Sequence, residues 1–278
     1  MKVRVLGSAA GGGIPQWNCA CDGCTTARQG GPDRRPDTVA VSGDGIDWYL
    51  LNASPDLRAQ LLATPELRPG PGRRQTPVRG VILTTAELDH TAGLLGLREA
   101  SSLSVYATAT VLAALSSEFP VRTMLAPYTA IGWHEMPRTL QGGLCLEALT
   151  VGAKRPRYVS SVEGADWVTA LRITDERRSA VFVYATCLPE WTEAFDEFVR
   201  GADVVLLDGT FATADELAVV AGRPGAAGEL GHLPVADSEP ATGRHPGTRF
   251  WYGHLNNTNP MARGSPLVVD DGQVLVSS

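Results

Sequence analysis

Short apolar runs, bounded by Gly, Pro or Asp, recur along the chain, and most have the length of a strand. KVRVLG (2–7), TVAVSG (38–43), DWYLLNAS (47–54), VRGVILT (78–84) and LSVYAT (103–108) occupy the first half. WVTALRIT (167–174), SAVFVYA (179–185), ADVVLLDG (202–209), TRFWYGHL (248–255) and GQVLVSS (272–278) follow in the second. Their Val, Tyr, Trp, Leu and Thr content suits a pleated, buried surface. Helical segments lie between them: SPDLRAQLLAT (54–64) with Ser54 as cap, TAGLLGLREA (91–100), TATVLAALSSEF (108–119) capped by Thr108 or Thr110, the amphipathic LPEWTEAFDEFVRG (188–201) and DELAVVAG (215–222). About ten strands and five helices in this order predict two mixed sheets covered by helices. That is an α/β chain built as a four-layer αββα sandwich. No repeat and no long linker interrupts it, so a single domain over 1–278 is expected. Two stretches read as loops, 28–37 and 221–248, and the second is too long for a plain connector.

Composition narrows the class. The chain has 278 residues, 44% hydrophobic and 19% charged, as ordinary globular proteins do. A net charge of −6 with no Lys/Arg run offers a nucleic acid no electrostatic footing. No apolar segment approaches the ~20 residues of a membrane span, and the N-terminus lacks a signal-peptide core. The expectation is a cytoplasmic protein with neither membrane nor nucleic-acid partner; a homodimer is compatible with it.

Three of the five cysteines sit in WNCACDGC, as Cys19, Cys21 and Cys24. Three thiols so close pair poorly among themselves but make strong soft ligands. They predict a closed structural zinc site whose fourth ligand is a His, Asn or Asp from 254–259. Cys145 and Cys187 stand alone in apolar surroundings and read as core.

LTTAELDHTAG (83–93) follows an apolar strand and ends in Asp89-His90 before a Leu-rich helix. A strong metal site of this kind would carry two more histidines, where this chain has Thr85 and Glu87. Alone, the pair also suits a helix cap at Asp89. Asp208 ends the strand ADVVLLDG, His254 ends TRFWYGHL, and His232 lies in the long loop. If these strand ends converge, two acids and two histidines suit a divalent first-row metal with open positions. The set leans towards iron or manganese. His134 and His245 have little context and read as surface residues.

LGSAAGGGIPQWNCACDGC (6–24), LNASPDLRAQ (51–60), LDHTAGLLGLRE (88–99), FPVRTML (119–125), LLDGTF (206–211), GHLPVADSE (231–239) and HLNNTNP (254–260) run in order over nearly the full length. The strand-end pattern is similar to the metallo-β-lactamase fold, whose motif is His-x-His-x-Asp-His. More specifically, the chain resembles the coenzyme PQQ (pyrroloquinoline quinone) synthesis protein B family. The resemblance implies a metallo-β-lactamase-like sandwich, with Cys19, Cys21 and Cys24 on a structural zinc. The family too lacks the first two motif histidines, leaving Asp89, His90, Asp208 and His254 to hold one catalytic metal. It implies a ferrous site, with manganese or zinc as alternatives, and dioxygen as co-substrate in hydroxylating a tyrosine-derived intermediate. His232 would act as acid/base; Arg122, Asn256, Asn257 and Asn259 would bind a small aromatic amino-acid or peptide-bound substrate. The chain departs from the family at RYVSSVEGADWVTAL, where Asp166 stands near a usual histidine and becomes a candidate ligand. It also departs at 237–248 and after NTNP, where expected helices are missing. A related aromatic precursor of another metabolite is therefore an alternative substrate. Metallohydrolase and non-catalytic quinone carrier are the competing functions.

Overall fold

The computed structural model describes residues 1–222 and 224–277. The first half of the chain lays down β1 (Lys2–Gly7), β2 (Thr38–Ser42), β3 (Trp48–Leu51), β4 (Val78–Ile82), β5 (Leu103–Ala107) and β6 (Ile131–Glu135). The second adds β7 (Thr139–Leu140), β8 (Leu144–Gly152), β9 (Val168–Asp175), β10 (Ala180–Ala185), β11 (Val204–Asp208), β12 (Arg249–Gly253) and β13 (Val274–Ser277). One sheet has the order β13-β1-β2-β3-β4-β5-β6 and the other β12-β11-β10-β9-β8-β7.

Period-two alternation sorts the side chains between layers. Phe182 and Tyr184 of β10, with Val204 and Leu206 of β11, face the other sheet, meeting Val3, Val39, Tyr49 and Leu51. Val183, Ala185, Val205 and Leu207 turn outward beneath α6 (Glu193–Val199), which supplies Phe195 and Val199. On the far side of the first sheet, Leu50, Val81 and Val105 pack against Leu57 of α2 (Leu57–Ala63) and Val111 and Leu115 of α4 (Ala109–Ser117). Three apolar layers separate four structural ones, so the αββα sandwich stands. Both faces of the central strands are covered, which is why their sequences are continuously apolar.

The differences from the sequence reading are local. β6, β7 and β8 were not expected; β6 and β8 are partly exposed along the sheets, so their apolar pattern is diluted. α2 starts at Leu57, and Ser54 does not cap it; its hydroxyl donates to Gln60 Oε1 at 2.9 Å. Expected helix 91–100 is instead a single turn, α3 (Leu88–Thr91), tightening into a 3₁₀ segment over Ala92–Leu97. Gly93 forces this close approach: a Cβ there would lie 2.1 Å from the Ser54 carbonyl oxygen. Asp89 sits inside α3, not at its cap. The helix thought missing from 237–248 exists as α8 (Val235–Thr242), and a 3₁₀ turn at Pro260–Arg263 follows NTNP. No helix among the described residues is long and apolar enough to cross a membrane.

Topology also places the site. β3 and β4 run parallel in one sheet; β10, β11 and β12 run parallel in the other. Their C-terminal ends gather along one edge of the sandwich, where open α/β sheets bind ligands. Truncating Phe182 to Ala should cost ~3–5 kcal/mol of stability, the usual range for a buried Phe. Denaturant unfolding checks it, and a loss below ~1 kcal/mol would contradict its place between the sheets.

Candidate metal centre and its pocket

Asp89 and His90 leave the first sheet just past β4, and His254 leaves the second just past β12. They meet across the gap: Asp89 Oδ2 lies 3.3 Å from His254 Nε2. The backbone of His254 takes φ 56°, a left-handed conformation uncommon outside glycine. His90 and His254 pack edge to face with ring centroids 5.2 Å apart.

Hydroxyls set the outward nitrogens. Thr85 Oγ1 lies 3.0 Å from His90 Nδ1 and also accepts the Glu87 N–H at 3.1 Å. With Nδ1–H donating to Thr85, His90 presents a bare Nε2 to the cluster, as a metal ligand must. That Nε2 is buried with no hydrogen-bond partner among the described residues. Thr85, in place of a histidine, therefore orients the next one. Thr210 Oγ1 serves His254 in the same way, 2.8 Å from its Nδ1.

Asp208 has another task. Its Oδ1 accepts the Thr210 N–H and hydroxyl at 3.0 and 2.7 Å, and its Oδ2 accepts the Leu188 N–H at 2.8 Å and faces His232 Nδ1 at 2.7 Å. Four such partners fill the acceptor sites of a carboxylate. Asp208 thus fixes His232, whose ring stacks on His254 at 5.4 Å between centroids. One donor atom each from Asp208, His232 and His254 still lies within 4.8 Å of the others.

Two residues missed in the sequence belong here. Asp37, just before β2, is buried; it accepts hydrogen bonds from Tyr184 and from Thr186 at 2.7 Å and lies 3.9 Å from His90 Nε2. Its Oδ1 is buried without a partner. Cys187 packs against the core as expected, but it is partly exposed and also lines the pocket. Asp37 looked like a loop acid after RRP; Cys187, like Asp208 and His254, follows an apolar strand, and that position was its signal.

The charge balance asks for a cation. Burial alone raises the Asp37 carboxyl, against the pull of His254 and His90. At Asp89, burial would do the same, but His90 and His254 outweigh it and hold the carboxyl well below its usual range. Burial opposes charge on His254, yet the Asp89 hydrogen bond and the charges of Asp89, Asp37 and Asp208 push it up to about 9. Burial and the Asp89 charge raise Glu87, and burial followed by four nearby acids pushes the Cys187 thiol well above its ordinary value. Buried acids, an orphaned imidazole nitrogen and an orphaned carboxylate oxygen fit a divalent ion.

The cluster floors a pocket of about 490 Å³. Val168, Phe211 and Leu230 supply apolar wall, and Lys154, Arg157 and Tyr158 stand at its side. His232 and Leu230 come from the long loop, so that loop is part of the site.

The second cluster lies close by. Sulfurs of Cys19, Cys21 and Cys24 lie within 4.8 Å of one another. The Asn257 side-chain amide stands 3.1, 3.5 and 3.5 Å from them, and half a turn of that amide presents Oδ1, a metal donor, to all three. Of the His, Asn and Asp expected from 254–259, Asn257 is the one placed against the three sulfurs, and it lies outside the pocket lining. This clamp holds the Gly-rich loop against the first cluster: a Cβ on Gly11 would lie 2.9 Å from Asp89 Cβ.

The other expected contacts fall elsewhere. Asn256 donates to Thr258 at 2.6 Å; Asn259 donates to the Gly209 carbonyl at 2.7 Å and accepts from Met261 N–H at 2.9 Å. Short polar side chains in such a run satisfy nearby backbone before they reach a ligand. Arg122 is exposed on α5 (Val121–Leu125), away from the pocket lining. Asp166 is no ligand; its carboxylate takes the Thr110 hydroxyl. His245 is buried, 3.1 Å from Asp196, and not a surface residue.

Comparison with known proteins agrees with this geometry. The Beta-lactamase superfamily domain model matches residues 47–255. Coenzyme PQQ synthesis protein B of Bradyrhizobium diazoefficiens is 41% identical, over 94% of this chain and 91% of its own length. The same protein of Cupriavidus necator is 38% identical over 94% and 90%. The crystal structure of Zn(2+)-bound PqqB from Methylobacterium extorquens superposes with a TM-score of 0.90 at 31% identity, covering all of both chains. On sequence and on fold, the chain belongs to the coenzyme PQQ synthesis protein B family.

Proposed function

We propose that this chain is an iron- and dioxygen-dependent hydroxylase of a tyrosine-derived intermediate in PQQ synthesis, carrying a structural zinc beside its catalytic metal. The reading rests on donors that share His254 at one edge of the sandwich: His90 and Cys187 in one group with it, Asp208 and His232 in the other. Asp89 Oδ2 lies 3.3 Å from His254 Nε2, and a ring nitrogen of His90 lies within 4.8 Å of one of His254, while Thr85, at a position that would complete a second site, is engaged in orienting His90. Hydrolysis in two-metal sites relies on a water clamped between both ions. One ion with His and carboxylate donors and open positions suits dioxygen and substrate instead. Bound ferrous iron supplies the one-electron and dioxygen chemistry that aromatic hydroxylation needs. Cys19, Cys21, Cys24 and Asn257 hold the zinc, in keeping with the zinc-bound relative.

The protein's own groups do the rest. Lys154 and Arg157 bind substrate carboxylate at the pocket side, and Phe211 and Val168 cover the ring. His232, its Nδ1 fixed on Asp208, turns Nε2 to the pocket and moves the substrate proton. The apolar wall excludes water from the reacting face.

After anaerobic loading with ferrous iron, elemental analysis should find about one zinc and one iron per chain. The Asp89→Ala/His90→Ala double variant should keep its zinc and lose its iron. Wild type holding only zinc would contradict the reading and favour a carrier. Cys24→Ala should lose the zinc and, because the clamped loop abuts Asp89, also weaken iron retention several-fold; full iron content without zinc would uncouple the two clusters. His232→Gln should lower hydroxylation roughly 10²–10⁴-fold with iron content unchanged, as loss of a general acid/base does. If iron leaves with the imidazole, His232 is a ligand instead.

A further inference from the structure

The catalytic-metal reading leaves Cys187 without a role. Cys187 lies two residues beyond β10, at the same edge where Asp208 and His254 end β11 and β12. Its sulfur lies within 4.8 Å of a ring nitrogen of both His90 and His254. The thiol is partly exposed, and it lines the pocket. Beside it, His90 Nε2 is buried and without a hydrogen-bond partner among the described residues. Asp208, the acid nearest in strand order, is engaged on all sides by Leu188, Thr210 and His232. Asp37 also faces His90, 3.9 Å from its Nε2, but it is held by Tyr184 and Thr186 and lies outside the pocket lining; Cys187 adds a sulfur donor on the pocket side.

We propose that Cys187 is a thiolate ligand of the metal held by Asp89, His90 and His254. The proposal rests on that metal site and adds a donor of a different kind. On binding, the S–H proton leaves to solvent and a sulfur–metal bond replaces it; nothing is oxidised or reduced. Two anionic donors, Asp89 and Cys187, then balance the charge of a divalent ion, which suits a pocket with apolar walls. Sulfur also discriminates: it favours iron, zinc or cobalt and disfavours magnesium, calcium and manganese, which prefer all-oxygen sites.

X-ray absorption at the iron edge tests this on the ferrous-loaded protein whose zinc stays at about one per chain. The edge is element-selective, so the thiolates of Cys19, Cys21 and Cys24 on zinc do not contribute. The expected first shell contains one sulfur at about 2.3 Å, the length of a metal–thiolate bond. It should be replaced by an oxygen or nitrogen in Cys187→Ser. A wild-type shell of nitrogen and oxygen alone overturns the cysteine assignment and leaves the iron site standing. A protein that retains no iron beside its zinc overturns the metal-site reading and this proposal together. The wild-type spectrum decides by itself, so the outcome does not depend on the folding of the variant.

Discussion

Everything at the functional edge depends on a contact between the two sheets. Asp89 comes from the first and His254 from the second, and they meet at 3.3 Å with Asp37 and His90 beneath them. Bringing several ionisable groups together in a buried space is costly without compensation. The partial solution inside the protein is the Asp89–His254 pair, strong enough to push the imidazole up to about 9. It leaves His90 Nε2 and Asp37 Oδ1 unsatisfied. A divalent ion held there, as proposed, would meet both the charge and the orphaned atoms, with the sandwich as the scaffold for its donors.

The second cluster explains how a Gly-rich loop can be part of so exacting a site. Residues near Ala10 lie against His254 through the Ala10 N–H to Leu255 carbonyl bond at 2.8 Å. Gly11 lies against Asp89 with no room for a side chain. Such a loop has high conformational freedom and little apolar surface to fix it. Three cysteines at 19, 21 and 24, tied to Asn257 only three residues beyond His254, remove that freedom. The structural cluster and the catalytic one thus share a backbone segment, and the first stiffens the second.

The sandwich was legible from its apolar runs, and the gathering of acids and histidines at one edge was legible from where those runs end. Asp208 ends β11 and His254 directly follows β12, so both emerge at a sheet edge, whereas Asp89-His90 sit in α3 beyond the loop that leaves β4. Cys187 follows an apolar strand too, and a thiol there serves two ends at once, packing against the core and lining the pocket. Asp37 was hidden because it starts a strand instead of ending one. The NNTN run was misread for a physical reason: side chains that short serve their own turn and the neighbouring cysteines. Arg122 could not be placed, since sequence does not say which side of the sandwich a short helix covers. Asp208 ends its strand at this edge and stands in one donor group with His232 and His254; its hydrogen bond to His232 has no signal in the sequence.

In the proposed function a lactamase-type scaffold has exchanged hydrolysis for oxygen insertion. Isotope tracing tests it most directly: ferrous-loaded protein is given tyrosine-derived aromatic amino acids under ¹⁸O-labelled dioxygen in ordinary water. The account predicts product hydroxyl groups carrying the label from the gas. Label that enters only from ¹⁸O-labelled water in the converse experiment, or an absence of hydroxylated product with iron fully loaded, would contradict it.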